Sequence, residues 1–191
     1  MRLFATFRAD RALLRRSTAF AEALMAEPKP ENVEWLATHA TRGDVDHARW
    51  ELRYVRRALG ILVAQRDALD DRTPSTVLRA LSERMERDPQ VDAGLRELSE
   101  RQFNARLSAY RDAFTTRGHG TAAVRIAQNL LAFAGGPIRA DDPVVLHGAD
   151  LVAEYIQWVN AQIRATFGEV DLPEDVPPSQ LPAKKKVRGE G

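Results

Sequence analysis

The sequence predicts an all-α fold: a single helical bundle of about seven helices around a long central helix at residues 44–72. In that helix, apolar residues recur at steps of three and four, which places them on one face. Helix-capping residues are also paired repeatedly with Gly or Pro stop signals along the chain. No segment shows the period-two alternation of a half-buried strand. These three observations together predict helices only.

The central helix is apolar around most of its circumference. Its main apolar row consists of Val45, Ala48, Leu52, Val55, Leu59, Leu62 and Leu69. A second row, beside the first, consists of Trp50, Tyr54 and Ile61. At about 100° per residue the two rows cover roughly 200° of the helix, far more than the single stripe of a surface helix. We therefore expect this helix to have neighbours on two sides.

The other six helices are predicted from the capping residues and the Gly or Pro stop signals that separate them. Their predicted ranges are 2–26, 31–42, 74–87, 93–117, 122–134 and 143–167. Gly43 follows the second range and favours the left-handed conformation found after a helix end. Thr121 and Asp142 are suitable N-caps for the sixth and seventh helices. Pro143 follows its cap at the first helical position, where the missing N–H costs nothing.

Composition divides the chain into two parts. We expect residues 1–168 to form the all-α domain, because their apolar rows are sufficient for a shared core. Residues 169–191 contain four prolines, few apolar residues and the basic cluster Lys184–Arg188. Such a segment buries too little surface to offset its ordering entropy, so we expect a flexible tail. The arginine-rich start of the chain resembles a transit peptide, but its pattern continues smoothly into the first helix and favours a structural role.

Composition also excludes several classes of function. The chain has no cysteine, which excludes disulfides, thiolate nucleophiles and cysteine-ligated metal sites. Its net charge of +1 gives no overall attraction to nucleic acid or to acidic membranes. No apolar run reaches the roughly 18 residues of a membrane-spanning helix. Arginine is abundant while lysine is scarce, a bias typical of GC-rich bacterial genomes, and we expect a cytoplasmic bacterial protein.

Polar residues within apolar faces mark the predicted site. The helical pattern carries four such residues into these faces: Glu51, Arg66, Gln102 and Arg106. A buried arginine without a partner costs several kcal/mol, so we expect these groups to contact one another, an acid or a bound anion. An internal network that fixes helix register and a ligand pocket between the central and fifth helices both fit the pattern. The internal network is the favoured interpretation.

Two patterns of carboxylates have spacings compatible with metal sites. Asp67, Asp70 and Asp71 share a helix face and are weak candidates for holding Mg²⁺ with a diphosphate. The favoured interpretation is that Asp70 and Asp71 help to start the fourth helix, where negative charge is stabilising. His47 with Glu51, and His147 with the acids that follow it, form histidine–carboxylate pairs one turn apart. An ordinary solvated face is favoured there, so the sequence predicts no metal.

An arginine ladder lies on the narrow polar side of the central helix. It consists of Arg49, Arg53, Arg56 and Arg57, flanked by Trp50 and Tyr54. Arginine beside aromatic rings binds phosphates and stacks on bases. Acids share that side, however, and no nucleic-acid-binding motif accompanies the ladder. A salt-bridged surface is therefore the favoured interpretation.

These patterns favour a non-enzymatic protein. No Walker A loop, Gly-x-Ser-x-Gly or His-Glu-x-x-His motif occurs, and the sequence predicts no cofactor. We expect a helical protein that acts by self-association or by binding a protein partner. One alternative is a binding protein or enzyme for a small anionic or phosphorylated ligand. A second alternative, the less favoured of the two, is nucleic-acid binding through the arginine ladder and the lysine tail.

Overall fold

Seven α-helices and one short 3-10 helix make up the part of the chain that the computed structural model describes, residues 2–67, 72–116 and 120–168. The α-helices are α1 (Arg2–Leu24), α2 (Pro30–His39), α3 (Val45–Asp67), α4 (Arg72–Glu86), α5 (Arg96–Thr115), α6 (Ala122–Ala134) and α7 (Pro143–Phe167). The 3-10 helix, Ala93–Leu95, immediately precedes α5. No strand occurs within the described ranges. The prediction of an all-α bundle is confirmed.

Helix α3 is the centre of the bundle. It contacts each of the other six α-helices. All residues from Glu51 to Ala64 are buried, so about four turns of α3 have neighbours on every side. Most members of the two apolar rows face a core to which all seven helices contribute, namely Ala48, Leu52, Val55, Leu59, Leu62, Tyr54 and Ile61, with Trp50 packed against it. Val45, at the start of the main row, is 47% exposed, and Leu69 lies outside the described residues. The wide apolar arc therefore corresponds to a helix enclosed by the others.

The bounds of the central helix differ from the predicted 44–72. Asp44 is its cap, accepting a hydrogen bond from the His47 backbone N–H at 2.9 Å, and α3 itself begins at Val45. The last described residue of α3 is Asp67, and Arg72 already belongs to α4. Pro74 thus lies in the first turn of α4, where backbone N–H groups have no intrahelical acceptor. Residues 68–71, between the two helices, are outside the described part.

The predicted caps hold α6 and α7 at the expected positions. The Thr121 hydroxyl accepts a hydrogen bond from the Val124 N–H at 3.3 Å, and the Asp142 carboxylate accepts one from the Val144 N–H at 2.8 Å. Gly135 ends α6 with φ of 81°, a left-handed conformation that costs glycine little. Because these signals are local, the sequence predicts the bounds of both helices to the residue.

The packing of α4 and α5 leaves a groove at one side of the bundle. Helix α4 packs on α1 and α3, whereas α5 packs on α3 and α6. The two helices therefore flank α3 without packing closely against each other. The predicted flexible tail, 169–191, with the cluster Lys184–Arg188, lies outside the described residues. None of the described helices is both long and apolar enough to cross a membrane.

Candidate functional site

Three of the four predicted site residues meet where α5 crosses α3. Glu51 on α3 is 1% exposed, and Arg106 on α5 is 12% exposed. The Arg106 Nε donates to the Glu51 oxygens at 2.8 and 3.1 Å, and its Nη2 also donates to Glu51. His47 lies one turn away, with its Nε2 3.3 Å from the same carboxylate. This arrangement is a side-on, bidentate ion pair.

Aromatic rings and an amide complete the Glu51–Arg106 site. The guanidinium of Arg106 lies over the rings of Phe133 and Tyr54, at 4.6 and 5.1 Å from their centroids. Gln102 is exposed, so the expectation that it lies in a buried face was wrong. Its side-chain oxygen accepts a hydrogen bond of 3.2 Å from the Tyr54 hydroxyl. Burial opposes the charge of Arg106, but its contact with Glu51 outweighs burial and raises the pKa of Arg106. The Nε and Nη2 atoms of Arg106 are already occupied by Glu51. Ligand binding by this set of residues stays a prediction.

Arg66 does not join the other three residues. It follows Glu51 by 15 positions, about 22 Å along the helix axis. Its side chain is 46% exposed and pairs with the neighbouring Asp67, while its Nη2 donates to Asn160 at 3.0 Å. The expectation that Arg66 lies in a buried face was wrong, because continuous burial of α3 ends at Ala64.

The described residues contain no group of three or more His, Asp or Glu side chains arranged to hold a metal ion. Asp67 pairs with Arg66, and the other two weak candidates, Asp70 and Asp71, lie outside the described residues. His147 packs its ring against Trp35, with 4.6 Å between centroids.

The arginine ladder is mostly buried, contrary to the predicted salt-bridged surface. Arg53, Arg56 and Arg57 are only 2%, 6% and 2% exposed, while Arg49 is 38% exposed and pairs with Asp46. The segments after α1 and α4 cover this side of α3 and supply two carboxylates, Glu27 and Asp88. These segments are irregular, so no periodic pattern in the sequence indicates that they fold over the ladder. We name this set of three arginines and two acids the arginine cluster.

The contacts of the arginine cluster are uneven. The Arg53 Nη2 donates to both oxygens of Glu27, at 2.6 and 2.7 Å, and to Gln90. The Arg57 Nη2 donates to buried Asp88 at 3.1 Å. Arg56 has no carboxylate partner among the described residues; its Nη1 donates only to the backbone carbonyl of Glu27, at 3.2 Å. The cluster therefore holds one more cation than it holds acids.

Burial shapes the electrostatics of the arginine cluster. Desolvation lowers the pKa of Arg57, and the nearby charge of Asp88 offsets part of that effect. Desolvation also lowers the pKa of Arg56, which lies beside Tyr155. The Trp50 ring makes stabilising cation–π contacts with two of these arginines, with its centroid 4.6 Å from the guanidinium of Arg53 and 5.8 Å from that of Arg57.

The groove between α4 and α5 is the third feature with functional potential. Its volume is about 220 Å³. The apolar residues that line it are Leu78, Met85, Val91 and Phe103. Its charged residues are Glu86, Arg96, Glu97 and Glu100, so acids predominate. No periodic pattern in the sequence indicates this groove, because it depends on how α4 and α5 are placed around α3.

Comparison of the chain with protein-family models, with curated proteins and with solved structures found no match to any of them.

Proposed function

We propose that this protein binds a partner protein through the groove between α4 and α5, and that the partner presents an amphipathic helix with basic residues. The carrying observation is the groove itself, which is lined by apolar residues and by charged residues that are mainly acids, between two helices that do not pack closely on each other. A helix laid into a hydrophobic groove is a common mode of peptide recognition.

The size of the groove favours a protein partner over a cofactor. Small-molecule sites usually measure about 300–1,000 Å³ and enclose most of their ligand. At about 220 Å³ this groove has room for only a few apolar side chains. Leu78, 39% exposed, contributes apolar surface at its edge. The groove thus suits side chains that project from a larger partner.

The charge of the groove favours a basic partner. Within the described residues, Glu97 pairs with Arg101 across the helix surface, whereas Glu86 and Glu100 have no ion-pair partner. A helix with Lys or Arg beside its apolar face would neutralise these acids. Complementary charge of this kind increases the association rate and selects among partners.

A defined peptide tests the proposal directly. An 18-residue helical peptide of leucine and lysine, apolar on one face, is titrated against the full chain by fluorescence anisotropy. We expect saturable binding, at least tenfold weaker for Leu78→Gln and for the double variant Glu86→Gln/Glu100→Gln. Leu146→Gln is the matched control, because Leu146 is an exposed leucine on α7, away from the groove. Equal binding to all four proteins would contradict the proposal.

Light scattering separates a partner protein from a second copy of this chain. If self-association occupies the groove, the wild-type protein forms dimers at high concentration and Leu78→Gln restores the monomer. That result would replace the heterologous partner with a second copy. A monomer at every concentration, combined with site-specific peptide binding, supports the proposal as stated.

A further inference from the structure

Arg56 has one edge of its guanidinium group free inside the protein. Its Nε and Nη2 atoms are both buried and have no hydrogen-bond partner among the described residues. These two atoms lie on the same side of the planar group, and together they form the fork that grips two oxygens at once. The remaining nitrogen, Nη1, donates to the Glu27 carbonyl at 3.2 Å.

Other arginines of this chain show what such an edge binds. In Arg66 the same two atoms donate to Asp67, at 2.5 and 2.8 Å. In Arg139 they donate to Asp141, at 3.2 and 2.9 Å, on the protein surface. Arg106 uses the same edge for Glu51. Arg56 is the most deeply buried of these four arginines, yet its Nε–Nη2 edge binds no carboxylate among the described residues.

The surroundings of Arg56 contain a second unused donor. The Tyr155 hydroxyl is buried and makes no hydrogen bond of normal length and angle with a described residue. Burial raises the pKa of Tyr155, and the nearby Asn32 side chain offsets part of that rise, so the hydroxyl keeps its proton at neutral pH. The exposed acids Glu31 and Glu154 also lie near this hydroxyl. Tyr155 is therefore available as a donor beside Arg56.

The arginine cluster itself lacks one counter-charge. Arg53 and Arg57 already engage the two acids of the arginine cluster, Glu27 and Asp88. A buried guanidinium without a counter-ion is strongly unfavourable, whereas a paired one is tolerated. One bound anion would balance the cluster.

We propose that the Nε–Nη2 edge of Arg56 binds a small oxyanion that presents two adjacent oxygens, a carboxylate or a phosphate group, with the Tyr155 hydroxyl as an additional donor. Trp158 is partly exposed and has its ring centroid 5.5 Å from the Arg56 guanidinium. We expect the environment of this ring to change when the anion binds. This site lies apart from the groove between α4 and α5 and does not depend on the proposed function.

Thermal unfolding of the full chain in defined anions tests this site. Inorganic phosphate, acetate and chloride are titrated separately at constant ionic strength. We expect a saturable rise in Tm with phosphate or acetate, reaching about 5–10 °C at roughly 100 times the Kd, and none with chloride. The anion that acts identifies the ligand as a phosphate or a carboxylate. Tryptophan fluorescence gives a second readout, because Trp158 lies over the site.

Arg56→Met is the decisive variant. It removes an unpaired buried charge, so we expect it to fold and to lose the anion response. Arg139→Met, at an exposed arginine with the same side-on pairing, is the matched control and keeps the response. If Arg56→Met does not fold, Tyr155→Phe replaces it, with an expected loss of about tenfold in affinity. Absence of a saturable response in the wild type, or an unchanged response in the usable variant, would overturn the proposal.

Discussion

Arg106 and Glu51 join α5 to α3 through a side-on ion pair, in which the Arg106 Nε lies 2.8 Å from the Glu51 Oε2. The carboxylate is almost completely enclosed, at 1% exposure, while the guanidinium retains 12%. The two partners therefore differ in how well each is solvated once the other is removed. Glu51 depends on Arg106 more than Arg106 depends on Glu51.

This asymmetry predicts unequal effects of two single substitutions. Among the described residues, Arg106→Met leaves His47 as the remaining ion-pair partner of the buried Glu51 carboxylate, and we expect it to lower the free energy of unfolding by about 3–5 kcal/mol. Glu51→Met should cost less, because Arg106 is able to turn toward solvent. Urea unfolding of both variants measures the difference.

The double variant Glu51→Met/Arg106→Met completes the cycle. An apolar pair of similar volume often replaces a buried ion pair with little loss, so we expect stability within about 1 kcal/mol of the wild type. Additive losses in the double variant would contradict this account of the pair.

Asp88 provides a comparison between a buried and an exposed acid. It is 7% exposed, and its carboxylate accepts from Arg57 and from the backbone N–H of Gln90. We expect Asp88→Asn to cost about 3 kcal/mol, because it leaves Arg57 buried without a counter-charge. The exposed pair of Asp141 with Arg139 is the control, where Asp141→Asn should change stability by less than about 1 kcal/mol. Equal effects in chemical denaturation would contradict the prediction.

Gly60 on α3 lies against the side chain of Leu24 on α1. A Cβ atom at this position would come within 2.3 Å of a Leu24 Cδ and 3.0 Å of its Cγ. Leu24 is fully buried, so its side chain has little space to move away. We expect Gly60→Ala to destabilise the protein by about 1–3 kcal/mol, despite the better helix propensity of alanine.

Gly94→Ala is the matched control for Gly60. Nothing lies within 4 Å of the Cβ position at Gly94, so this substitution should be neutral or slightly stabilising. Thermal unfolding of the two variants compares their stabilities. A stabilised Gly60→Ala would contradict the prediction and would show that Leu24 adjusts freely.

The tyrosines predict a loss of stability at alkaline pH. Burial, followed by the negative charge of Glu51, raises the pKa of Tyr110 well above its ordinary value. Above about pH 10 the unfolded chain releases the phenol proton while the folded chain keeps it, so stability falls as pH rises. Tyr110→Phe removes this contribution and should reduce the slope by about 1.4 kcal/mol per pH unit.

Tyr54→Phe distinguishes the two tyrosines at neutral pH. The Tyr54 hydroxyl is hydrogen-bonded to Ser99 and Gln102, each at 3.2 Å, whereas the Tyr110 hydroxyl has no partner among the described residues. We expect Tyr54→Phe to cost about 1 kcal/mol and Tyr110→Phe to cost nothing. Urea unfolding at pH 7 measures these two costs. The same measurement at pH 10–11 tests the alkaline prediction for Tyr110, which an unchanged slope in Tyr110→Phe would contradict.

The sequence by itself determined the helices and the identity of the central one. Thr121 and Asp142 cap their helices through hydrogen bonds to backbone N–H groups two or three residues away, so sequence neighbours are sufficient to predict them. The apolar rows of α3 determined its burial for the same reason, since the helical period alone decides which side chains share a face. Both signals are local.

Only the tertiary structure decided which polar groups meet. The helical pattern selected Glu51 and Arg106, which do meet, but it also selected Arg66, which is half exposed. The pattern shows which side chains share a face of a helix, but not where along the helix its contacts with other helices end. The burial of Arg56 was missed, since it depends on Glu27 and Trp158, which come from segments far away in the chain. A residue's own pattern contains no information about irregular segments that fold over it. Long-range packing therefore decided the sites, while local periodicity and capping decided the helices.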